Sequence, residues 1–196
     1  MTTWFTSDHH FGHKNIIEYC RRPYKYVEEM DEDLIARWNG KVGSSDIVYH
    51  LGDFCLGGPE KAWGYFERLN GRIHVMPGNH DHRWMRYFLL PHEVTDTAVT
   101  IEQPIHSIDI PPGILGSHSL PIVMCHYPMR SWDRSHYGAI HLFGHVHNLF
   151  DYLSGTSDDK VIPPGEKRGV SINVCVEMWD YYPVSMEEII DLAKSW

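Results

Sequence analysis

Short apolar runs alternate with helical apolar stripes through the first half of the chain. Thr3-Trp4-Phe5-Thr6 predicts a strand that leads into the polar loop Ser7–His13. From Asp31 to Trp38, the residues Leu34, Ile35 and Trp38 share one face at 3.6-residue spacing, which predicts an amphipathic helix. Ile47–Leu51 predicts a second strand. Pro59 opens the next helix, where its missing N–H costs nothing, and Ala62, Trp63, Phe66 and Leu69 form the buried stripe. Ile73–Met76 predicts a third strand, with a helix after it through Tyr87. This alternation predicts a largely parallel sheet covered by helices.

Beyond Pro91 the pattern changes. Val94–Ile101 and Ile105–Ile110 predict strands with no helix between them, followed by strands at Ile122–Cys125, Ile140–Phe143 and Val170–Val176. Residues 151–168, rich in Asp, Ser, Gly and Pro, form a polar excursion expected to cover a site, and Met186–Lys194 predicts a closing helix. With no repeat or linker, residues 1–196 are expected to form a single α/β domain, a strand-rich second sheet packed on the first.

Polar clusters follow five of the strand runs: Asp8-x-His10, Gly52-Asp53, Gly78-Asn79-His80-Asp81, His126 and Gly144-His145-Val146-His147. In open α/β sheets, ligands gather beyond the carboxyl ends of strands, where separate loops converge. Oxygen and nitrogen donors at five such ends predict one shared metal site. In extended chain, residues two apart project to the same side, so Asp8 and His10, and likewise His145 and His147, are expected to act in pairs. Asp53 has two oxygens with which to bridge two cations, and Gly52, Gly78 and Gly144 are expected to let the backbone turn beside the ligands. Without thiolates, this donor set suits Mn, Fe or Zn better than Ca or Mg, with Mn favoured.

Charge narrows the substrate. A formal net charge of −9 disfavours bulk binding of nucleic acid. Two divalent ions against two aspartates and a hydroxide would still leave the site positive enough to attract a phosphate. No apolar run approaches the ~20 residues needed to span a bilayer. The start Met1–Trp4 has no basic leader, so a cytoplasmic location is expected. The four cysteines Cys20, Cys55, Cys125 and Cys175 form no CxxC pair and are expected to be buried thiols. His74, His92, His106, His118, His136 and His141 lack companion ligands and are read as structural or solvated. His9 and His50 should point away from the ligands. Trp84, Tyr127 and Trp132 are read first as packing residues, with a ring-binding pocket as the alternative.

These five ordered clusters resemble the motifs of the calcineurin-like metallophosphoesterase superfamily, from residue 5 to about residue 190. The resemblance implies a four-layer α/β/β/α sandwich of two mixed sheets and a dinuclear metal-dependent phosphoric ester hydrolase. It implies Asp8, His10, Asp53 and His147 on one metal, and Asp53, Asn79, His126 and His145 on the other. His80 would be the general acid and Asp81 an orienting group. The opening Phe5–Ile17 and the tail from Asn173 to Ser185 are similar to a compact bacterial and phage branch of phosphoesterases. Phosphoprotein phosphatases of the superfamily read Gly-Asp-x-x-Asp-Arg at the second motif. Here Leu56 stands at the second Asp position, which points away from phosphoproteins. His13, Lys14, Arg21, Arg22 and Arg83 are the local candidates for gripping phosphate.

The expected activity is therefore phosphodiesterase: hydrolysis of a phosphodiester or small nucleotide by in-line attack of metal-bound hydroxide. A phosphomonoesterase or nucleoside polyphosphate hydrolase would use the same metals. A non-enzymatic interaction scaffold is the alternative of another class, and it is disfavoured because every ligand position is filled. The sequence leaves the oligomeric state open.

Overall fold

A computed structural model describes residues 1–88, 98–148, 154–156 and 169–196. The first sheet holds β1 (Thr3–Thr6), β2 (Ile47–His50), β3 (Arg72–Val75) and β4 (Val99–Ile101), parallel and in that spatial order. The second holds β5 (Ile105–Ile110), β6 (Leu120–Cys125), β7 (Ile140–Phe143), β8 (Ser154–Thr156) and β9 (Val170–Asn173). Its spatial order is β5-β6-β7-β9-β8, with β6, β7 and β9 parallel and the two edge strands antiparallel to them. β10 (Val184–Ser185) returns to the first sheet, antiparallel beside β1. Both sheets are mixed, as expected, and helices flank them.

Burial explains why the strands read as nearly continuous apolar runs: the first sheet is covered on both faces. Val48, Ile73 and Val75 pack towards α2 (Val27–Lys41), α3 (Pro59–Phe66) and α4 (His82–Phe88), with Leu34, Trp38, Phe66 and Trp84 among their partners. Phe5, Tyr49, Leu51 and Met76 face the other way, onto Ile122, Met124, Ile140, Leu142 and Ile172 of the second sheet. On the outer face of that sheet, Trp132 and Ala139 pack on Val123, and a 3-10 turn at Ser135–Tyr137 lies in the same segment. The closing helix α5 (Met186–Lys194) docks beside β1 and β10, begun by a capping box between Ser185 and Glu188. Among the described residues, no helix is long and apolar enough to cross a membrane.

The two sheets are stitched together at their carboxyl ends. Ser7, just past β1, forms a parallel bridge to Cys175, just past β9, and Val176 N–H donates to the Ser7 carbonyl at 3.1 Å. This seam brings the loops of both sheets to one place.

Several elements differ from expectation. The short helix α1 (Ile16–Tyr19) and the two-residue β10 carry too few residues for a periodic signal. α2 starts at Val27 rather than Asp31, because acidic Glu28 and Glu29 suit a helix amino terminus even though they interrupt the apolar stripe. β9 stops at Asn173, and Val176–Trp179 is a 3-10 turn. Of the excursion 151–168, only 154–156 are described, as an edge strand on β9; its reading as a cover, like residues 94–97 of the strand predicted before Ile101, otherwise lies outside the described residues.

Candidate metal centre

Five strand ends deliver the side chains to one point. Asp8 and His10 follow β1, Asp53 follows β2, Asn79 follows β3, His126 directly follows β6, and His145 and His147 follow β7. Backbone bonds knit these loops together: Asp8 N–H donates to the Gly52 carbonyl and His10 N–H to the Asp53 carbonyl, both at 3.0 Å.

The pairing of Asp8 with His10 and of His145 with His147 has a different cause from the one expected. These residues are not in extended chain. Asp8, His10, Asp53, His145 and His147 all have positive φ, between 48° and 73°. Side chains other than glycine enter that region at a cost of roughly 1–3 kcal/mol each, and such strain gathers at functional sites. The glycines divide similarly. Gly52 has φ +93° and uses the conformational freedom expected of it. Gly78 and Gly144 have ordinary φ; their role is close approach, because a Cβ at 78 would fall on Asp53 and one at 144 on Ser7 and Asp8.

The donor atoms converge in two overlapping groups, Asp8–His10–Asp53 and Asp53–His126–His145, each with its ligand atoms within 4.8 Å of one another. Asp53 Oδ2 lies 3.5 Å from His10 Nε2 and also 3.5 Å from His126 Nε2. One carboxylate oxygen thus faces both groups. His147 Nε2 is 3.6 Å from Asp8 Oδ1 and so joins the first group. Asn79 Oδ1 is 3.0 Å from His126 Nε2 and so joins the second.

Hydrogen bonding aims these atoms inward. Asp8 Oδ2 accepts from the Ser7 hydroxyl, from His145 N–H at 2.9 Å and from the Cys175 thiol at 3.2 Å. Its other oxygen, Oδ1, is buried without a hydrogen-bond partner, and so is His10 Nε2 beside it at 3.8 Å. Leaving two such groups unpaired in the interior is costly, and a cation between them would satisfy both. His126 makes the same point. Its Nδ1–H donates to the Leu51 carbonyl at 2.8 Å, so a neutral ring turns only a lone pair towards Asn79 Oδ1. Two acceptors that meet in this way are arranged as metal ligands are. The residues present fit a pair of divalent cations.

The charges agree. Burial raises the Asp8 carboxyl, but His10, His147 and His126 together hold it well below the usual range. Asp53 is lowered in the same manner, its burial outweighed chiefly by His126. Burial pulls His147 down, yet Cys20, Glu177 and the Asp8 charge drive it up to about 11, so an imidazolium supplies the positive charge here when no metal does.

His80 and Asp81 have separate positions. His80 N–H donates to Asp53 Oδ1 at 2.8 Å, and its half-buried ring lies 5.3 Å from that of His10, at the mouth of the site. Asp81 is fully buried and grips the loops from beneath. Its Oδ2 accepts from Asp53 N–H (2.7 Å) and Gly78 N–H (2.9 Å), and its Oδ1 from Phe54 N–H (2.9 Å) and the Trp84 indole (2.8 Å).

Other candidates are sorted by their contacts. Arg22 is buried and bonded to Glu177 and to the carbonyls of Asp8 and His9, so it cannot reach a phosphate. His13 stands beside His10, Nδ1 to Nδ1 at 3.4 Å, and burial with the two neighbouring imidazoles pushes it down to about 4. His9 and His50 are buried and bonded to each other at 3.0 Å, away from the ligand atoms. His74 and His106 share Glu102, while His141 is held by Val123 and Met129. Trp84 and Trp132 are buried; Tyr127 is 46% exposed, its ring 4.7 Å from that of His145 on the rim. Glu177 is a residue of the site that no sequence pattern singles out. Its only mark was a carboxylate in the tail motif, 155 positions from the arginine it binds.

No family model matches the chain. It is 33% identical over 194 residues to an uncharacterized protein of Methanocaldococcus jannaschii, covering 97% of this chain and 90% of that one. It is 31% identical over 214 residues to the gene 66 protein of Mycobacterium phage L5, covering 98% and 94% respectively. In structure it is similar to a protein of unknown function from Aquifex aeolicus, with a TM-score of 0.67, 22% identity, and coverage of 97% and 98%. That last likeness concerns the fold. The identities, sustained along nearly the whole of each chain, place this protein in one family with the archaeal protein and the phage gene 66 protein.

Proposed function

We propose that this protein is a dinuclear metal-dependent phosphoesterase, with a phosphodiester or small nucleotide as its substrate. The observation that carries the reading is the single oxygen, Asp53 Oδ2, at 3.5 Å from the inward nitrogens of both His10 and His126. Asp8, His10, Asp53 and His147 would hold one divalent ion, Mn, Fe or Zn with Mn favoured. Asp53, Asn79, His126 and His145 would hold the other. Such ions polarise a phosphoryl oxygen and make a water nucleophilic near neutral pH.

The chain's own groups do the rest. His80 is tied through its backbone to Asp53, and its ring stands at the mouth, placed to give a proton to the departing alkoxide. Asp81 fixes the height of the Asp53 and Asn79 loops and thereby the spacing of the ligands. Arg22 is withdrawn into the interior, so that candidate does not meet the substrate. The withdrawal of Arg22 removes one candidate grip on phosphate and favours a singly charged phosphodiester over a doubly charged monoester or a polyphosphate, although Lys14, Arg21 and Arg83 stay exposed. The rim residues His145 and Tyr127 are exposed and offer an aromatic surface beside the second group.

The test is hydrolysis of bis-p-nitrophenyl phosphate beside p-nitrophenyl phosphate, using chelator-stripped protein refilled with Mn²⁺. Preferential cleavage of the diester, abolished by stripping, is the expected result. Cleavage of the monoester alone would overturn the substrate class and leave the metal reading intact.

A further inference from the structure

His147 is held from behind by a buried ion pair that belongs to none of the five clusters. Its Nδ1 lies 3.0 Å from Glu177 Oε1. The same oxygen accepts from Arg22 Nε at 2.9 Å and from Arg22 Nη2 at 2.6 Å. The guanidinium also donates to the backbone of the first cluster, Nη2 to the Asp8 carbonyl at 2.7 Å and Nη1 to the His9 carbonyl at 2.8 Å, with Nη1 reaching Met30 Sδ at 3.4 Å as well. Neither side chain is open to solvent, at 0% exposure for Arg22 and 1% for Glu177.

These contacts close a ring. From Asp8 the path runs through its carbonyl to Arg22, on to Glu177, to His147 Nδ1, and from His147 Nε2 back to Asp8 Oδ1 at 3.6 Å. Two candidate ligands from opposite ends of the chain are thus set in one rigid frame. A buried ion pair is a poor source of stability, since desolvation offsets most of the attraction. It does fix geometry, because two donors of one guanidinium and the imidazole Nδ1 converge on the single oxygen Glu177 Oε1, which holds that oxygen behind His147. A carboxylate acceptor on Nδ1 also keeps the proton on that nitrogen when the ring is neutral, so that it is Nε2, facing Asp8, that exchanges its proton for a cation.

We infer that Glu177, clamped by Arg22, is a positioning residue that sets the tautomer and aim of His147 and so controls occupancy of the Asp8–His10–His147 metal position. The inference rests on the two-cation reading and refines it. It is selective: His126 takes its tautomer from the Leu51 carbonyl instead, so the second position is independent of Glu177.

Two measurements test it. The first is a calorimetric titration of chelator-stripped protein with Mn²⁺. Wild type is expected to take up two ions, and Glu177→Gln to bind one of them 10- to 100-fold more weakly and the other unchanged, with partial recovery in Glu177→Asp. The second needs no variant: long-range ¹⁵N–¹H correlation of the imidazoles in Zn²⁺-loaded wild type. His147 is expected to carry its proton on Nδ1 and the metal on Nε2. Metal on Nδ1 would overturn the inference even if Glu177→Gln failed to fold. Two ions in wild type with both affinities unchanged in folded Glu177→Gln would also overturn it, leaving the two-cation reading standing. No uptake by wild type would instead refute that underlying reading.

Discussion

Replacing Asp81 by Asn alters one atom of the group that spans the two loops beneath the site. Asn can keep a carbonyl oxygen towards Phe54 N–H and the Trp84 indole, which meet Oδ1. Its amide nitrogen then takes the place of Oδ2 and turns its hydrogens towards Asp53 N–H and Gly78 N–H, two donors that lose their acceptor. Two bonds to a charged acceptor are lost, at about 1.5–3 kcal/mol each. Part of this is offset. Burial and the neighbouring Asp53 push the Asp81 carboxyl up, so the charge is held at a cost that Asn does not bear. The net expected loss is about 2–4 kcal/mol, corresponding to a fall in Tm of roughly 4–16 °C for a domain of this size. Urea unfolding of chelator-stripped protein is the assay, since stripping removes any stabilisation by bound metal. The variant should also bind Mn²⁺ more weakly, because Asp53 and Asn79 sit on the loops that part. A loss below about 1 kcal/mol with unchanged metal affinity would refute the view that Asp81 holds these loops in register.

Three further outcomes are expected. His80→Ala should retain its metals while kcat on the diester falls by about 10²–10⁴; an unchanged kcat would remove His80 from the reaction. Gly78→Ala should cost about 1–3 kcal/mol in unfolding free energy and lower metal affinity, because its Cβ falls on Asp53. His141 is buried and held down to about 4 against an ordinary value of 6.5, so the unfolded chain gains a proton there on acidification that the folded chain refuses. Its stabilising contribution is complete above 6.5 and is lost as pH falls towards 4. Between pH 8 and pH 5, wild type should therefore lose about 2 kcal/mol more than His141→Gln, measured by urea unfolding at each pH.

Of the strands that deliver the site, β6 and β7 were legible as short runs buried along their whole length. β1 and β7 have the very bounds that the pattern predicts, and so does the largely exposed edge strand β5. The convergence of Asp8, Asp53, Asn79, His126 and His145 followed from their place just beyond strand ends, a consequence of parallel topology. What the residues did not reveal is how each ligand is aimed. Extended-chain alternation was the wrong reason for pairing Asp8 with His10, because both sit in the left-handed region. That conformation is imposed by backbone bonds to the Gly52 and Asp53 carbonyls from a separate strand end. Arg22 stands among the five candidates for gripping phosphate because a loop arginine beside a metal motif carries no local sign of burial. Its partner Glu177 lies near the other end of the chain. Support of this kind depends on tertiary contacts alone and leaves no periodicity to read.

The most direct test of the central claim is the number of metal ions held per chain, counted by anomalous scattering and elemental analysis after loading with Mn²⁺. Wild type should hold two, with His10→Ala losing the first and His145→Ala the second. Asp53→Asn should weaken both positions together, because one oxygen faces both groups. A single ion in wild type, or two ions held undiminished by Asp53→Asn, would contradict the account.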